Sequence, residues 1–433
     1  MQEDRTIPHP SNSLVTAVTE RSADAAGHPH RWLLTRDFQL LWWSQVLSQV
    51  ADGVSKLALL WFVYAVTGSP LKTTVIGLLQ TLPPILLGPF IGVMVDRLPK
   101  KAILIGSDLA RGLLIGLIPC WISVAQFTVD ALYALTFLYG VATALFVPTL
   151  SSSVPFMVRR SQYTAANALL QGTTSLGIII GPALSGLGIA FSGSQDVLCM
   201  NAGTYLLSAL LLLPIRLSEG RAGKGEEGGV RQVLHALWEG LWYILAGERR
   251  LLWLVLLAAL YTFAAGAFTT LFPVFGRNLL ELGPVEVGYL WSWLGVGLCL
   301  TSLGLIRLSG WSLRRRLSTV VLFALLSGAS ALMLVWVQEF RIAALLVTCV
   351  GAGFGGWTPI AWGMVQEVAP PTLVGRVMAL YTAIATTTSM AGMTVFGWVA
   401  ESWGAASAVV GISFTLLLLA LVSGWWSVEV ESS

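Results

Sequence analysis

The sequence predicts an all-α membrane protein whose twelve transmembrane helices form two six-helix bundles. Hydrophobic residues make up 55% of the 433 residues and charged residues only 11%, whereas soluble domains carry about 25% charged residues. Apolar runs such as 206–214 and 251–260 are uninterrupted, which favours helices over the alternating strands of a membrane barrel. Twelve spans of about 20 residues would take about 240 residues, close to the hydrophobic content of this chain.

Apolar segments bounded by charge, Pro or Gly recur along the chain, and we number them spans 1 to 12. The predicted spans are 39–66, 71–95, 102–124, 131–150, 165–191, 195–214, 250–273, 286–306, 317–337, 342–363, 377–400 and 405–426.

A long polar break separates six spans from six. The predicted divisions are a cytoplasmic tail at 1–37, a bundle at 38–214, a cytoplasmic linker at 215–249, a second bundle at 250–427 and a cytoplasmic tail at 428–433. Within the linker, apolar residues over 230–245 repeat with helical spacing, which predicts an amphipathic helix on the membrane surface.

The distribution of Lys and Arg predicts the orientation in the membrane. Of the 25 basic residues, twenty fall in segments on one side of the membrane. The other side has three, Lys72, Arg277 and Arg341, and two lie within spans, Lys56 and Arg111. Because cytoplasmic loops of membrane proteins hold the excess of Lys and Arg, we expect both termini in the cytoplasm of a bacterial cell.

The two halves of the sequence match at a fixed offset of 211 residues. The matching pairs are Pro148 with Pro359, Ala168-Leu169 with Ala379-Leu380, Gly181 with Gly392 and Gly186 with Gly397. One offset joins span 4 to span 10 and span 5 to span 11, so we predict a 6+6 parallel repeat of the kind found in secondary transporters.

The segment after span 2 resembles the signature of the major facilitator superfamily, Gly-x-x-x-Asp-Arg-x-Gly-Arg/Lys-Arg/Lys. The matching residues are Gly92, Asp96, Arg97, Lys100 and Lys101, while Pro99 replaces the second Gly. The resemblance implies the twelve-helix fold of that superfamily and a cytoplasmic gate in which Asp96 faces the start of span 11 near Arg376. The alternative is that these are ordinary cytoplasmic loop charges.

Span 5 carries a second motif of small residues. Its residues Gly177, Gly181, Pro182 and Gly186 look like the superfamily's antiporter motif, with Ser185 in place of one Gly. Small residues allow close helix contact and proline bends a helix, so ordinary packing also explains the motif. Together with the stretch from Arg36 to Gly53, the motif resembles the branch of the superfamily that contains the enterobactin exporter and macrolide efflux proteins, which implies export.

Span 1 contains two charges near the middle of the membrane, Asp52 and Lys56, one helical turn apart. Charges at this depth are costly and are usually functional. Asp52 is therefore a candidate for proton uptake and release. The alternatives are a permanent structural pair with Lys56, or Lys56 as the counter-ion of an anionic substrate.

Asp108 and Arg111 share one face of span 3, where we expect them to extend the gate network around Asp96 and Arg97 rather than to touch substrate. The second half offers aromatic and sulfur side chains that would suit a lipophilic ligand or simply pack. These cavity candidates are Tyr261, Phe263, Trp293, Trp357, Tyr381, Met390 and Met393.

These features predict an exporter of an amphipathic small molecule, either a drug or a siderophore-like metabolite, driven by proton antiport across the bacterial inner membrane. No nucleotide-binding loop or metal-spaced His pair occurs in the sequence, so we expect no enzymatic activity, catalytic residue, cofactor or metal. We also expect no nucleic-acid partner and a monomer in the bilayer. The alternatives are a non-transporting receptor or lipid-binding protein on the same fold, an importer, or a lipid flippase.

Overall fold

The computed structural model describes residues 36–124, 129–158, 162–217, 242–243, 249–305, 312–370 and 373–432. All regular structure in these ranges is helical, which confirms the predicted fold class. The predicted N-terminal tail and the amphipathic part of the linker lie almost entirely outside the described residues.

The first half contains four single helices followed by one long helix. Their bounds are Arg36–Thr67 for span 1, Pro70–Arg97 for span 2, Lys100–Val124 for span 3, Val129–Ser153 for span 4 and Tyr163–Leu212 for spans 5 and 6. A short 3-10 turn, Val154–Phe156, follows span 4.

The second half repeats this order with one added short helix, Phe272–Asn278, after span 7. The bounds are Arg249–Thr270 for span 7, Pro284–Leu305 for span 8, Leu313–Met333 for span 9, Phe340–Val368 for span 10 and Val374–Ser432 for spans 11 and 12. A 3-10 turn, Leu334–Trp336, follows span 9.

Ten helices of the described chain are long and apolar enough to cross a membrane, and two of them are double length. The helix of spans 5 and 6 has 50 residues and that of spans 11 and 12 has 59, against about 20 for one crossing. Each breaks at one glycine, Gly193 (φ 85°, ψ 162°) and Gly404 (φ 87°, ψ 163°). The count is therefore consistent with twelve crossings.

These two glycines show that the sequence repeat is also a structural repeat. Their backbone conformation is essentially restricted to glycine, and they are separated by 211 residues, the offset of the repeat. The same chain reversal thus recurs at the same place in each half.

Glycines also bring corresponding helices together within each half. A Cβ built on Gly181 would lie 2.6 Å from the Cα of Gly53 in span 1. Its repeat mate Gly392 meets the backbone of Phe263 in span 7, with a Cβ to Cα distance of 2.9 Å. Span 5 therefore packs on span 1 as span 11 packs on span 7.

The two sides of the helix bundle differ in how closely the halves meet. We call the side that carries Arg97, Lys100 and Arg249 the basic side, and the other side the opposite side. On the opposite side, Tyr64 of span 1 donates a hydrogen bond of 2.7 Å to Oδ1 of Asn278. Spans 5 and 8 also meet there, since a Cβ on Gly288 would lie 3.0 Å from the Cα of Gly186.

Toward the basic side the helices that line the interface are separated. A Cβ built on Gly88 or Gly92 of span 2, on Gly172 of span 5 or on Gly375 of span 11 would meet no atom within 4 Å. The halves are therefore closed together on the opposite side and open toward the basic side.

Candidate functional site

A buried polar cluster lies in the middle of the first half, centred on Arg111 of span 3. Nη1 of Arg111 donates to both carboxylate oxygens of Asp52, at 3.0 and 3.1 Å. Nη2 donates to Oγ of Ser48 at 2.8 Å and to Oδ1 of Asp108. One guanidinium therefore holds two carboxylates from different helices.

Two tyrosines complete the surroundings of Asp52. The hydroxyl of Tyr205 donates to Oδ1 of Asp52 at 2.6 Å and that of Tyr139 at 3.0 Å, and the two hydroxyls lie 2.7 Å apart. The side chain of Asp52 is 24% exposed, whereas those of Arg111 and Asp108 are fully buried. Asp52 is therefore the partly exposed member of these three charged side chains.

Asp108 also accepts hydrogen bonds from two serine hydroxyl groups. Oγ of Ser208 donates to its Oδ2 at 2.6 Å, and Oγ of Ser48 donates to its Oδ1 at 3.2 Å. Ser44 also belongs to this part of the cluster, with its hydroxyl 2.8 Å from that of Ser208. These bonds satisfy a carboxylate that has no access to water.

Aromatic rings enclose the guanidinium of Arg111. Its Cζ lies 4.3 Å from the ring centroid of Phe146 and 4.9 Å from that of Tyr205, and cations are attracted to aromatic faces at such distances. With both carboxylates ionised, the cluster has one positive and two negative charges. Uptake of one proton would make the cluster neutral. That would be favourable, because uncompensated charge is costly in a low-dielectric interior.

The structure corrects the partner that the sequence suggested for Asp52. Its cation is Arg111 of span 3, and no ion pair between Asp52 and Lys56 occurs among the described residues. Nζ of Lys56 instead lies 5.6 Å from the ring centroid of Trp291, in span 8 of the other half, and its side chain is exposed. Asp52 faces spans 3, 4 and 6, while the long stem of Lys56 reaches out of the first half.

Asp108 and Arg111 also differ from their expected place in the gate network. Arg111 lies eleven residues into span 3, which corresponds to about 16 Å along the helix. Both residues therefore meet Asp52 deep in the bundle, and the described residues show no contact from them to Arg97.

The other gate candidates lie at the basic side, where the helices are apart. Span 2 ends at Arg97, and Nζ of Lys101 donates to the carbonyl oxygen of Leu213 at 2.6 Å. Lys100 lies over the ring of Phe156, at 5.1 Å from its centroid, and Arg376 is exposed. The side chain of Asp96 lies outside what the structure describes, so its contact with span 11 stays a prediction.

The small residues of the span 5 motif contact two different helices. Gly177 and Gly181 pack against span 1, whereas Gly186 faces span 8 of the other half. Pro182 lies within helical backbone, and the φ/ψ break of this long helix is at Gly193. The motif thus acts as a contact surface in this structure, and the chain reversal occurs further along the helix.

The seven cavity candidates of the second half divide by exposure. Trp357, Tyr381 and Met393 are buried, while the remaining four are half-buried or exposed: Tyr261, Phe263, Met390 and Trp293. Tyr261 stacks on Trp357 with ring centroids 5.1 Å apart. The buried candidates belong to the packing beneath the surface that the other four present.

Sequence reasoning missed the tyrosines and serines of the Arg111 cluster. Ser44, Ser48 and Asp52 follow each other at intervals of four residues, and such spacing places side chains on one helix face. This polar stripe in an apolar span was the available signal. The contributions of Tyr139 and Tyr205 come from spans 4 and 6, and no local pattern connects them to Asp52.

A helical membrane protein built from two repeats, with a partly exposed charge cluster among the spans of one repeat, has the architecture of a secondary transporter. The chain belongs to the Major Facilitator Superfamily, which it matches over residues 41–393.

Efflux proteins are among its relatives. It is 26% identical over 399 residues to the multidrug efflux pump Tap of Mycolicibacterium fortuitum, covering 89% of this chain and 94% of that protein. It is 22% identical over 346 residues to macrolide efflux protein A of Streptococcus pyogenes, covering 79% and 84%. These similarities support membership in the efflux branch of the superfamily.

Solved structures share the fold at lower identity. The nucleoside transporter NupG has a TM-score of 0.71 at 12% identity, with 92% of this chain and 99% of that chain covered. A bacterial homologue of the iron transporter ferroportin, in an inward-facing state, has a TM-score of 0.68 at 15% identity and covers 90% and 98%.

Proposed function

We propose that this protein exports an amphipathic small molecule across the bacterial cytoplasmic membrane in exchange for protons. The named activities of its relatives support drug efflux. The observation that carries the exchange is the Arg111 cluster, in which one partly exposed carboxylate, Asp52, shares a guanidinium with a second, fully buried one.

The arrangement of the halves supports an export cycle. If the basic side faces the cytoplasm, as the loop charges predict, the open side of the cavity is the one from which an exporter takes its substrate. The structure then corresponds to the inward-facing state of an alternating-access cycle.

Asp52 is the residue that exchanges the proton in this proposal. In the outward-facing state it takes up a proton from outside, and the Arg111 cluster becomes neutral. In the inward-facing state it releases that proton as the substrate enters the cavity. Arg111 and the hydroxyls of Tyr139 and Tyr205 stabilise the ionised carboxylate, while protonation removes the cost of the excess buried charge.

The second half supplies the substrate surface. Half-buried and exposed apolar groups, with Tyr261 and Trp293 among them, suit a lipophilic ligand such as a drug or a siderophore-like metabolite. Few charges interrupt this surface, so affinity would come mainly from burial of apolar area.

Transport in proteoliposomes tests the coupling. With ethidium or a macrolide as the probe, Asp52→Asn should abolish accumulation against a gradient but still allow the probe to equilibrate down its gradient. Proton release on addition of the probe should also be lost. Asp52→Glu keeps the carboxylate and should retain part of both activities.

The variant Lys56→Met tests whether Arg111 or Lys56 is the counter-charge of Asp52. If Arg111 is the working counter-charge, this variant should still release protons when the probe is added. Unaltered proton release by folded Asp52→Asn protein would contradict the assignment and turn attention to Asp108. Failure of the wild type to move any probe uphill would contradict export itself.

A further inference from the structure

A carboxylate at the end of span 11 contacts the start of span 2 on the opposite side of the molecule. Oε2 of Glu401 accepts a hydrogen bond of 2.7 Å from Oγ of Ser69 and one of 3.3 Å from the backbone N–H of Leu71. Span 2 belongs to the first half and span 11 to the second, so this contact joins the two halves.

The helix end that Glu401 meets is arranged to accept a partner. Ser69 is the N-cap of span 2, and its hydroxyl oxygen accepts from the N–H of Lys72 at 3.1 Å. Pro70 has no N–H to offer, and the N–H of Leu71 belongs to the first turn, where the helix supplies no acceptor. Glu401 provides that acceptor, and its negative charge is favoured at a helix N-terminus.

The contact stands at the end of a closely packed interface. A Cβ on Gly397, one turn before Glu401, would overlap the side chain of Thr74 in span 2. Further into the membrane, a Cβ on Gly77 would lie 3.4 Å from the sulfur of Met393. Spans 2 and 11 therefore touch along the same face on which Glu401 reaches Ser69.

We propose that Glu401 is a positioning residue that holds the opposite side closed in the inward-facing state and releases span 2 when the transporter turns outward. This inference rests on the alternating-access cycle of the proposed function. The geometry carries it, because opening that side must separate spans 2 and 11, and separation breaks both bonds to Glu401.

The proposed latch at Glu401 mirrors the predicted gate at Asp96. Span 2 ends at the basic side with Asp96, which is predicted to face the start of span 11. Span 11 reaches the opposite side with Glu401, which contacts the start of span 2. Each of these two antiparallel helices would thus place a carboxylate against the start of the other. The Glu401 contact would form in the inward-facing state and the Asp96 contact in the outward-facing state.

Distances between spin labels test the latch in the full-length protein in nanodiscs. Val66 and Trp336 are exposed at the opposite-side ends of spans 1 and 9, so labels on Val66→Cys and Trp336→Cys report opening without touching Glu401. The native cysteines are replaced by serine. Glu401→Ala should raise the population with the longer distance by about fivefold, the size expected for a helix-terminus charge with its hydrogen bonds.

Two further variants make the result decisive. Glu401→Gln keeps the size and a carbonyl acceptor but loses the charge, so it should shift the population less and covers the case in which the alanine variant does not fold. Glu339→Gln removes an exposed glutamate from the same side, whose side chain makes no capping bond, and should leave the distances unchanged.

Distances that stay at the wild-type values in both folded Glu401 variants would overturn the latch. So would an equal shift in Glu339→Gln, because any lost surface charge would then suffice. The wild-type transport assay separates this inference from the proposed function. Normal export with an unmoved distance contradicts the latch alone, whereas a shifted distance without any export contradicts the function and leaves the latch in place.

Discussion

The two halves share one backbone plan but place different chemistry at the same depth. In the first half, Tyr139 and Tyr205 approach Asp52 beside the buried Arg111. The repeat offset of 211 residues puts Val350 and Leu416 at the corresponding positions, and both are fully buried. Hydroxyl groups in one half therefore correspond to aliphatic side chains in the other.

Charge follows the same division. Among the described residues, the buried charged side chains are Asp108 and Arg111, both in the first half. The second half has an aromatic cluster instead, in which Tyr261 stacks on Trp357 and meets Phe354 edge-on, with its hydroxyl donating to the Phe354 carbonyl oxygen at 3.2 Å.

What repeats is the means of packing. Gly181 and Gly392 bring corresponding helices together, and Gly193 and Gly404 reverse the chain with the same backbone angles. These two glycine pairs are kept across the repeat, whereas the side chains of the Arg111 cluster are not. In our proposal the first half carries the ion and the second half carries the substrate.

The largest effect should come from removing the cation of the first half. Arg111→Met leaves Asp52 and Asp108 without a counter-charge, and breaking a buried ion pair in this way costs about 3–5 kcal/mol. We expect little folded protein in the membrane and a lower melting temperature after purification. Neutralising the carboxylates as well, with Asp52→Asn and Asp108→Asn, should restore folding but not coupling. A stable Arg111→Met protein would show that the charges do not organise this half.

The next effect tests whether packing is truly repeated. Gly181→Leu forces a side chain into the backbone of Gly53, and Gly392→Leu does the same at Phe263, so each should cost about 1–3 kcal/mol. We expect near-normal expression but impaired efflux from both variants. Gly203→Leu, in the same long helix as Gly181 with open space around it, is the matched control. Full efflux activity of Gly181→Leu would show that the span 5 motif is ordinary helix packing and does not support export.

A smaller effect should distinguish the basic loops of the two halves. Asp96→Asn removes the charge predicted to meet span 11, worth about 1 kcal/mol at a helix end, so efflux should fall several-fold while membrane insertion survives. In the second half, Glu367 pairs with Arg316 between spans 9 and 10 of the same half. The side chain of Glu367 is 64% exposed and that of Arg316 23%, and ion pairs near the surface contribute little, so Glu367→Gln should leave efflux nearly unchanged. Equal efflux by wild type and Asp96→Asn, at equal protein level, would contradict the gate.

The fold could be predicted from the sequence because its signals are local. Apolar length and the polar break follow from residues close together in the chain, and the fixed offset follows from the order of residues alone. The membrane leaves helices as the main way to satisfy backbone hydrogen bonds. The double-length helices were resolved as two spans each, with boundaries on either side of Gly193 and Gly404.

The candidate site was predictable only in part. Asp52, Asp108 and Arg111 stood out as charges in apolar spans, but their partners depend on how spans 1 and 3 rotate against each other. A spacing of four residues favoured Lys56 as the partner of Asp52, and it could not reveal that a planar, five-donor guanidinium from another helix suits two carboxylates better. The contact of Glu401 with Ser69 joins residues far apart in the chain, so no sequence window contained it.

The smallest effect should separate the roles of the two halves most directly. Tyr205→Phe removes one donor to Asp52, and Tyr261→Phe removes a donor to a backbone carbonyl in the aromatic cluster; each hydrogen bond is worth about 1 kcal/mol, or roughly fivefold. If the first half carries the ion, Tyr205→Phe should lower the accumulation ratio and leave downhill flux intact. Tyr261→Phe should instead raise the half-saturating substrate concentration and keep the ratio of protons released to substrate moved. The accumulation ratio and the half-saturating substrate concentration should both be measured in both variants. An accumulation ratio lowered by Tyr261→Phe but not by Tyr205→Phe would reverse the assignment of the halves.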